Sequence, residues 1–150
     1  MDNVIWNYKE FNDLTLQELY KIIQLRNQVF VVEQNCVYQD CDNKDFVSGH
    51  LWATVEDDIV AYSRIVPKGI SYKEEPSIGR VISNNKYRGQ GFGKQLLLNS
   101  IQVIENNFQS TGIRISAQLY LKSFYESFGF QQVSEEYLED DIPHIEMLKK

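Results

Sequence analysis

Arg88-Gly89-Gln90-Gly91-Phe92-Gly93-Lys94 places three glycines at alternating positions between two cations, directly ahead of a leucine run. Glycine adopts backbone angles that other residues avoid and offers no Cβ to block an approaching ligand. Successive N–H groups at such a turn, joined by the unpaired N–H groups of a helix start, bind phosphate oxygens. The chemistry on offer is a grip on an anion. Two familiar phosphate motifs are excluded, because GxxxxGK[ST] is absent and the glycines fall as GxGxG rather than GxGxxG. A tight strand-to-helix turn with no ligand is the alternative reading of the same residues.

The charge pattern favours the anion. From Pro76 to Ile104 there are four basic residues (Arg80, Lys86, Arg88, Lys94) and no acid, so with the whole chain at -6 the remainder carries -10. That balance excludes a general nucleic-acid binder, which needs basic surface to displace counterions from phosphates. The acids crowd Asp40 to Asp45 and Glu135 to Glu146, which tilts the expected second ligand towards a small cation.

Elements that would position the loop are legible on either side of it. Val4 to Phe11 reads as a strand, and Thr15-Leu16-Gln17-Glu18 is a capping-box pattern that starts a helix with an apolar stripe running towards Phe30. Glu33 to Asp45 reads as loop. His50 to Glu56 and Ile59 to Pro67 form a hairpin with Asp57-Asp58 as its turn, and Ile78 to Ser83 leads into the glycines. Phe92, Leu96, Leu97, Ile101, Ile104 and Phe108 recur at helical spacing. Gly112 to Ala117 is a strand, Leu119 to Phe128 a helix stopped by Gly129, and Phe130 to Val133 and Ile142 to Leu148 are strands. Strand, glycine turn, helix, strand is a parallel crossover. The expectation is one α/β domain over residues 1–150, with a mixed central sheet flanked by helices.

Composition agrees: 150 residues with 43% hydrophobic side chains suffice for one substantial core. The opening residues carry an acid and no long apolar run, so the protein is expected in the cytoplasm and off the membrane. Cys36 and Cys41 lack CxxC spacing, and His50 and His144 are far apart, so free thiols and no metal are expected. Asp40, Asp42 and Asp45 have a DxDxxD look, but an EF-hand would need glycine at Asp45 and glutamate at Leu51; a solvated loop is the reading.

Arg88-Gly-Gln-Gly91-Phe-Gly93 resembles the acyl-coenzyme A pyrophosphate loop of the GNAT N-acetyltransferases, and Tyr125, Gly129 and Phe130 are similar to that family's downstream helix motif. The resemblance narrows to the ElaA-like branch through Leu25 to Cys36, Ile78 to Val81, Ala117-Gln118 with Tyr120-Leu121, and Ile142-Pro143-His144. Two departures stand out: Gln118 where the family has asparagine, and Asp141 where glycine is expected before Ile142.

The resemblance implies a GNAT fold and acetyl transfer from acetyl-coenzyme A to an unidentified amine, by direct attack in a ternary complex. Gly89, Gln90, Gly91, Phe92, Gly93 and Lys94 would hold the pyrophosphate with Arg88, and Gln118 the pantetheine. Val81, Ile82 and Ser83 would pair with the pantetheine arm, a backbone N–H there polarising the thioester. Tyr125 would protonate the departing thiolate, since a phenol with pKa near 10 matches a thiolate of similar basicity. The strand from Ser77 to Ser83 holds no Asp, Glu or His, so Glu33 and His144 are the candidate bases. That gap and Gln118 leave open a regulatory module that binds the coenzyme without turnover. Arg64 and Arg80, in strands, should pair with acids or face the cleft.

Overall fold

The computed structural model describes residues 3–87, 89–108 and 112–150. The first strand, β1 (Ile5–Glu10), leads to the predicted capping box, in which the Glu18 N–H donates to the Thr15 hydroxyl at 3.1 Å and the Thr15 N–H to the Glu18 carboxylate at 2.8 Å. This starts α1 (Leu16–Arg26). The helical stripe continues, but from Asn27 to Glu33 the winding loosens into a π-helix. Val29, Val31 and Val32 are stiff at χ1 and crowd a regular α-turn. Such segments re-aim side chains, and here Val29 and Phe30 reach the central cleft.

β2 (Gly49–Val55) and β3 (Asp58–Val66) pair with Val55 opposite Asp58, so the turn is Glu56-Asp57, one residue earlier than predicted. Both turn residues are left-handed (φ 48 and 69), the geometry whose twist matches the flanking strands. β4 (Ser77–Ser83) completes an antiparallel sheet in the order β1-β2-β3-β4. After it come α2 (Phe92–Asn107), β5 (Ile113–Gln118), α3 (Lys122–Glu126), β6 (Gln131–Gln132), β7 (Tyr137–Glu139) and β8 (Ile142–Lys149). β8 pairs antiparallel with β5, β6 and β7. The hairpin β7–β8 was not anticipated; its turn, Asp140-Asp141, has φ 50 and 64. The expected glycine at 141 is thus explained, since Asp141 carries a conformation that glycine adopts freely.

The crossover from β4 through α2 to β5 is present. β4 and β5 begin side by side, the Arg114 N–H donating to the Pro76 carbonyl at 3.0 Å. Beyond that point no ladder joins them among the described residues. The mixed sheet is therefore two antiparallel sheets meeting along one parallel contact and splaying apart towards the strand ends.

Helices cover both faces of the first sheet. Ile22 of α1 packs with Trp52, Tyr62 and Ile82, while Phe92 and Leu96 of α2 pack on Leu51, Ala53 and Val60. Leu97, Ile101 and Ile104 continue that stripe onto Ile115, Ile145 and Met147 of the second sheet. One helix thus braces both arms of the splay and fixes the cleft between them.

Candidate active site

The splay opens a cleft of about 740 Å³. Val81, Ile82 and Ser83 of β4 line one side, Gln118 of β5 the other, with Gly93, Tyr125 and His144 also on its walls. At the glycine end, Gly89 and Gly91 take left-handed angles (φ 84 and 79), and Gly91 is the residue from which α2 starts. The first bond of the helix runs from the Gln95 N–H to the Gly91 carbonyl, so the N–H groups of Phe92, Gly93 and Lys94 lie within the unpaired first turn. A Cβ at Gly89, Gly91 or Gly93 would meet nothing within 4 Å. Gly93 lies inside the helix, where glycine costs about 1 kcal/mol relative to alanine. No protein atom needs the space it leaves. Phe92 is buried with its ring edge-on to Tyr87, so it can offer only its N–H, and Gln90 and Lys94 are exposed. Arg88, the expected phosphate cation, lies outside the described residues.

The ladder between β3 and β4 breaks beside the cleft. Tyr62 faces Ile82 but Arg64 faces Gly79, so Arg80 and Val81 together oppose Ser63. This is a β-bulge, and Arg80 takes φ 50 in it. The strain is held from behind. Arg80 Nε donates to the Asp40 carboxylate at 2.8 Å and Nη2 to the Asp40 carbonyl at 3.0 Å, with the guanidinium over the Tyr38 ring. Asp40 also accepts from Arg26 Nε at 2.8 Å and from the Tyr38 hydroxyl at 2.9 Å. Arg26 and Arg64 share Asp45 at 2.6 and 3.2 Å, and Arg64 reaches Asp42 at 2.7 Å.

The acidic loop is therefore not solvated. Asp40 and Asp45 are buried, and Arg26 is 0% exposed. Burial alone would raise the Asp42 carboxyl, but the Arg64 guanidinium outweighs it and holds Asp42 down at about 2. The Asp45 carboxyl is lowered in the same way, Arg26 and Arg64 overcoming its burial. Arg64 and Arg80 meet acids, as expected, and both also line the cleft. Sequence reading missed this network. The available signal was Arg26 itself, four residues after Ile22 on the apolar stripe of α1.

Tyr125 is 6% exposed at the cleft wall. Its placement has a local cause. The Phe130 N–H donates to the Tyr125 carbonyl at 3.3 Å and the Gly129 N–H to the Glu126 carbonyl at 3.0 Å, with Gly129 at φ 95. That is the Schellman closure of a helix, and the Tyr125 and Phe130 rings pack across it with centroids 6.0 Å apart. The spacing of Tyr125, Gly129 and Phe130 is thus a helix-stop geometry that fixes the phenol. Burial, then the nearby Tyr120, pushes that phenol up to about 12, above the ordinary value near 10. It keeps its proton across the whole neutral range.

His144 faces Gln118 across the β5–β8 pair and stacks on Tyr137. Its Nδ1 donates to the Ile142 carbonyl at 2.7 Å, which turns Nε2 to Glu139 at 3.2 Å. Glu33, by contrast, is exposed at the end of the π-helix and is not among the cleft-lining residues. Among the described residues no group of three His, Cys, Asp or Glu side chains is placed to hold a metal, and no helix is long and apolar enough to cross a membrane.

A splayed pair of parallel strands, a glycine turn onto a braced helix and a buried tyrosine beyond it define an acyltransferase architecture. Residues 25–150 match the acetyltransferase (GNAT) domain model, and the chain belongs to the GNAT acetyltransferase family. It is 40% identical to the protein ElaA of Escherichia coli over 147 residues, 97% of this chain and 95% of that one. The crystal structure of E. coli ElaA superposes with a TM-score of 0.91, 38% identity, and 97% and 99% of the two chains covered. An acyl-CoA N-acyltransferase from Pseudomonas aeruginosa superposes with a TM-score of 0.94 at 43% identity, covering 99% of this chain and 100% of that one.

Proposed function

We propose that the protein transfers an acetyl group from acetyl-coenzyme A to the nitrogen of an amine by direct attack in a ternary complex. One observation carries the reading: the open first turn of α2 at Gly93, a broken strand ladder at Arg80-Val81 and a protonated Tyr125 share one cleft. The N–H groups from Gly89 to Lys94 bind the pyrophosphate, with Arg88 and Lys94 as cations. Val81 to Ser83 pair with the pantetheine arm from one side, and the Gln118 amide meets it from the other. An N–H of the bulge, at Val81 or Ile82, donates to the thioester oxygen as charge develops there; such a donor contributes roughly 3 kcal/mol to the transition state.

The amine nitrogen then bonds to the thioester carbon as the C–S bond breaks. Sulfur takes the Tyr125 proton, and the surplus proton on nitrogen passes to His144 Nε2, with Glu139 beside it. Glu33 has no step. Free thiols at Cys36 and Cys41 support a reducing compartment, the cytoplasm. The test is thiol release from acetyl-coenzyme A by the purified protein across a panel of amines. The reading expects release that depends on the amine; coenzyme binding with no release for any amine would instead mark a regulatory module.

A further inference from the structure

The part of the cleft beyond the thioester position has two unlike walls. One is built by the Asp40–Asp45 loop and β3–β4. In it or directly behind it stand four cations (Arg26, Arg64, Arg80, Lys44) and three carboxylates (Asp40, Asp42, Asp45), and every arginine is matched to acids. The surplus positive charge falls on Lys44. Its ammonium, half-buried at the cleft wall, donates to the Ser71 hydroxyl at 3.0 Å and has no carboxylate partner among the described residues. Behind this wall, Arg64 Nε is buried in a side chain only 4% exposed and has no hydrogen-bond partner among the described residues. What this wall lacks at the cleft surface is thus one negative charge, opposite Lys44.

The opposite wall is the β7–β8 hairpin, with Glu139, Asp140 and His144 turned to the cleft. Tyr72, next to Ser71 in the chain, also lines the cleft and lies close enough to Glu139 to feel its charge, so one short segment spans the two walls. An acceptor that was only a cation would leave Lys44 unanswered. One that was only an anion would carry no nucleophilic nitrogen.

We infer that the acceptor is an amino carboxylate, a small molecule whose amine lies by His144 and Glu139 and whose carboxylate lies by Lys44 and Ser71. This rests on the acetyl-transfer reading and refines the sequence-based tilt towards a simple cation. Lys44 supplies the charge and Ser71 the second donor, while the buried arginines hold the wall rigid behind them.

The test compares matched acceptors: glycine, β-alanine, γ-aminobutyrate and ε-aminocaproate against the carboxamide of each. At least one acid should exceed its amide by tenfold or more in kcat/KM. Lys44→Met should bring that ratio close to one, and Lys44→Arg should restore most of it. The KM for acetyl-coenzyme A should be the same in all three proteins. Acids and amides used equally, or a preference that survives Lys44→Met, would overturn this inference while leaving acetyl transfer intact. Silence towards every acid and every amide would overturn both.

Discussion

At the glycine end of the cleft the groups proposed to meet the coenzyme are chiefly main-chain N–H groups of α2 and its turn, with Phe92 the buried side chain among them. At the Lys44 end the wall is backed by a side-chain network, Arg26, Asp40, Asp42, Asp45, Arg64 and Arg80, bonded across sequence separations of 14 to 40 residues. The first is a local property of one stretch of chain with open space at its glycines, so a bulky residue there should spare the fold while blocking the proposed coenzyme. The second is a tertiary property, so damage there costs stability as well as function.

The largest expected effect follows from that contrast at Gly91. Gly91→Glu puts a carboxylate into open space, with no protein atom within 4 Å to clash with. Strain at φ 79 costs about 1–2 kcal/mol, so the protein stays folded. Calorimetry should find no measurable acetyl-coenzyme A binding, and undiminished affinity would break the phosphate-grip reading.

At the other end, Asp40→Ala leaves the buried guanidinium of Arg26 and the strained Arg80 short of their shared acid. Urea unfolding should show a loss of about 3–5 kcal/mol. A loss below about 1 kcal/mol would mean that the network is not what holds the β4 bulge.

Between the two ends stands Tyr125. Tyr125→Phe should lower kcat by roughly 10²-fold or more with little change in acetyl-coenzyme A affinity. Because burial holds the phenol at about 12, its ionisation should give no falling limb in kcat below about pH 10. A falling limb between pH 8 and 10 that disappears in Tyr125→Phe would place the phenol's ionisation below its raised value, and an unchanged kcat in Tyr125→Phe would remove it as the acid.

The smallest effect is on acid stability. Asp42 titrates near 2 in the fold against an ordinary value near 3.9, so its contribution is complete above about pH 4 and is lost as pH falls towards 2. Asp42→Asn should flatten the slope of unfolding free energy in that window. An unchanged slope would assign the acid sensitivity to other carboxylates.

The same contrast explains what was legible in the sequence. Thr15 to Glu18, Gly89 to Lys94 and Tyr125 to Phe130 each encode a hydrogen-bonded geometry within six residues, and all three could be read directly. Asp40, Asp42 and Asp45 encode nothing locally; they look like a solvated run because their partners come from α1, β3 and β4. β7 escaped because three residues carry no periodicity. Its turn uses two aspartates in a left-handed conformation where glycine was the readable signal.

Direct attack is the central claim, and the cleft itself holds the obvious rival, since the free thiol of Cys36 lines it. A rapid-quench experiment mixing the protein with acetyl-coenzyme A alone, then with an acceptor amine, separates the two routes. Direct attack predicts no thiol release without amine and one thiol per acetylated amine with it. A stoichiometric burst of thiol without amine, leaving an acetyl group on Cys36, would contradict the account.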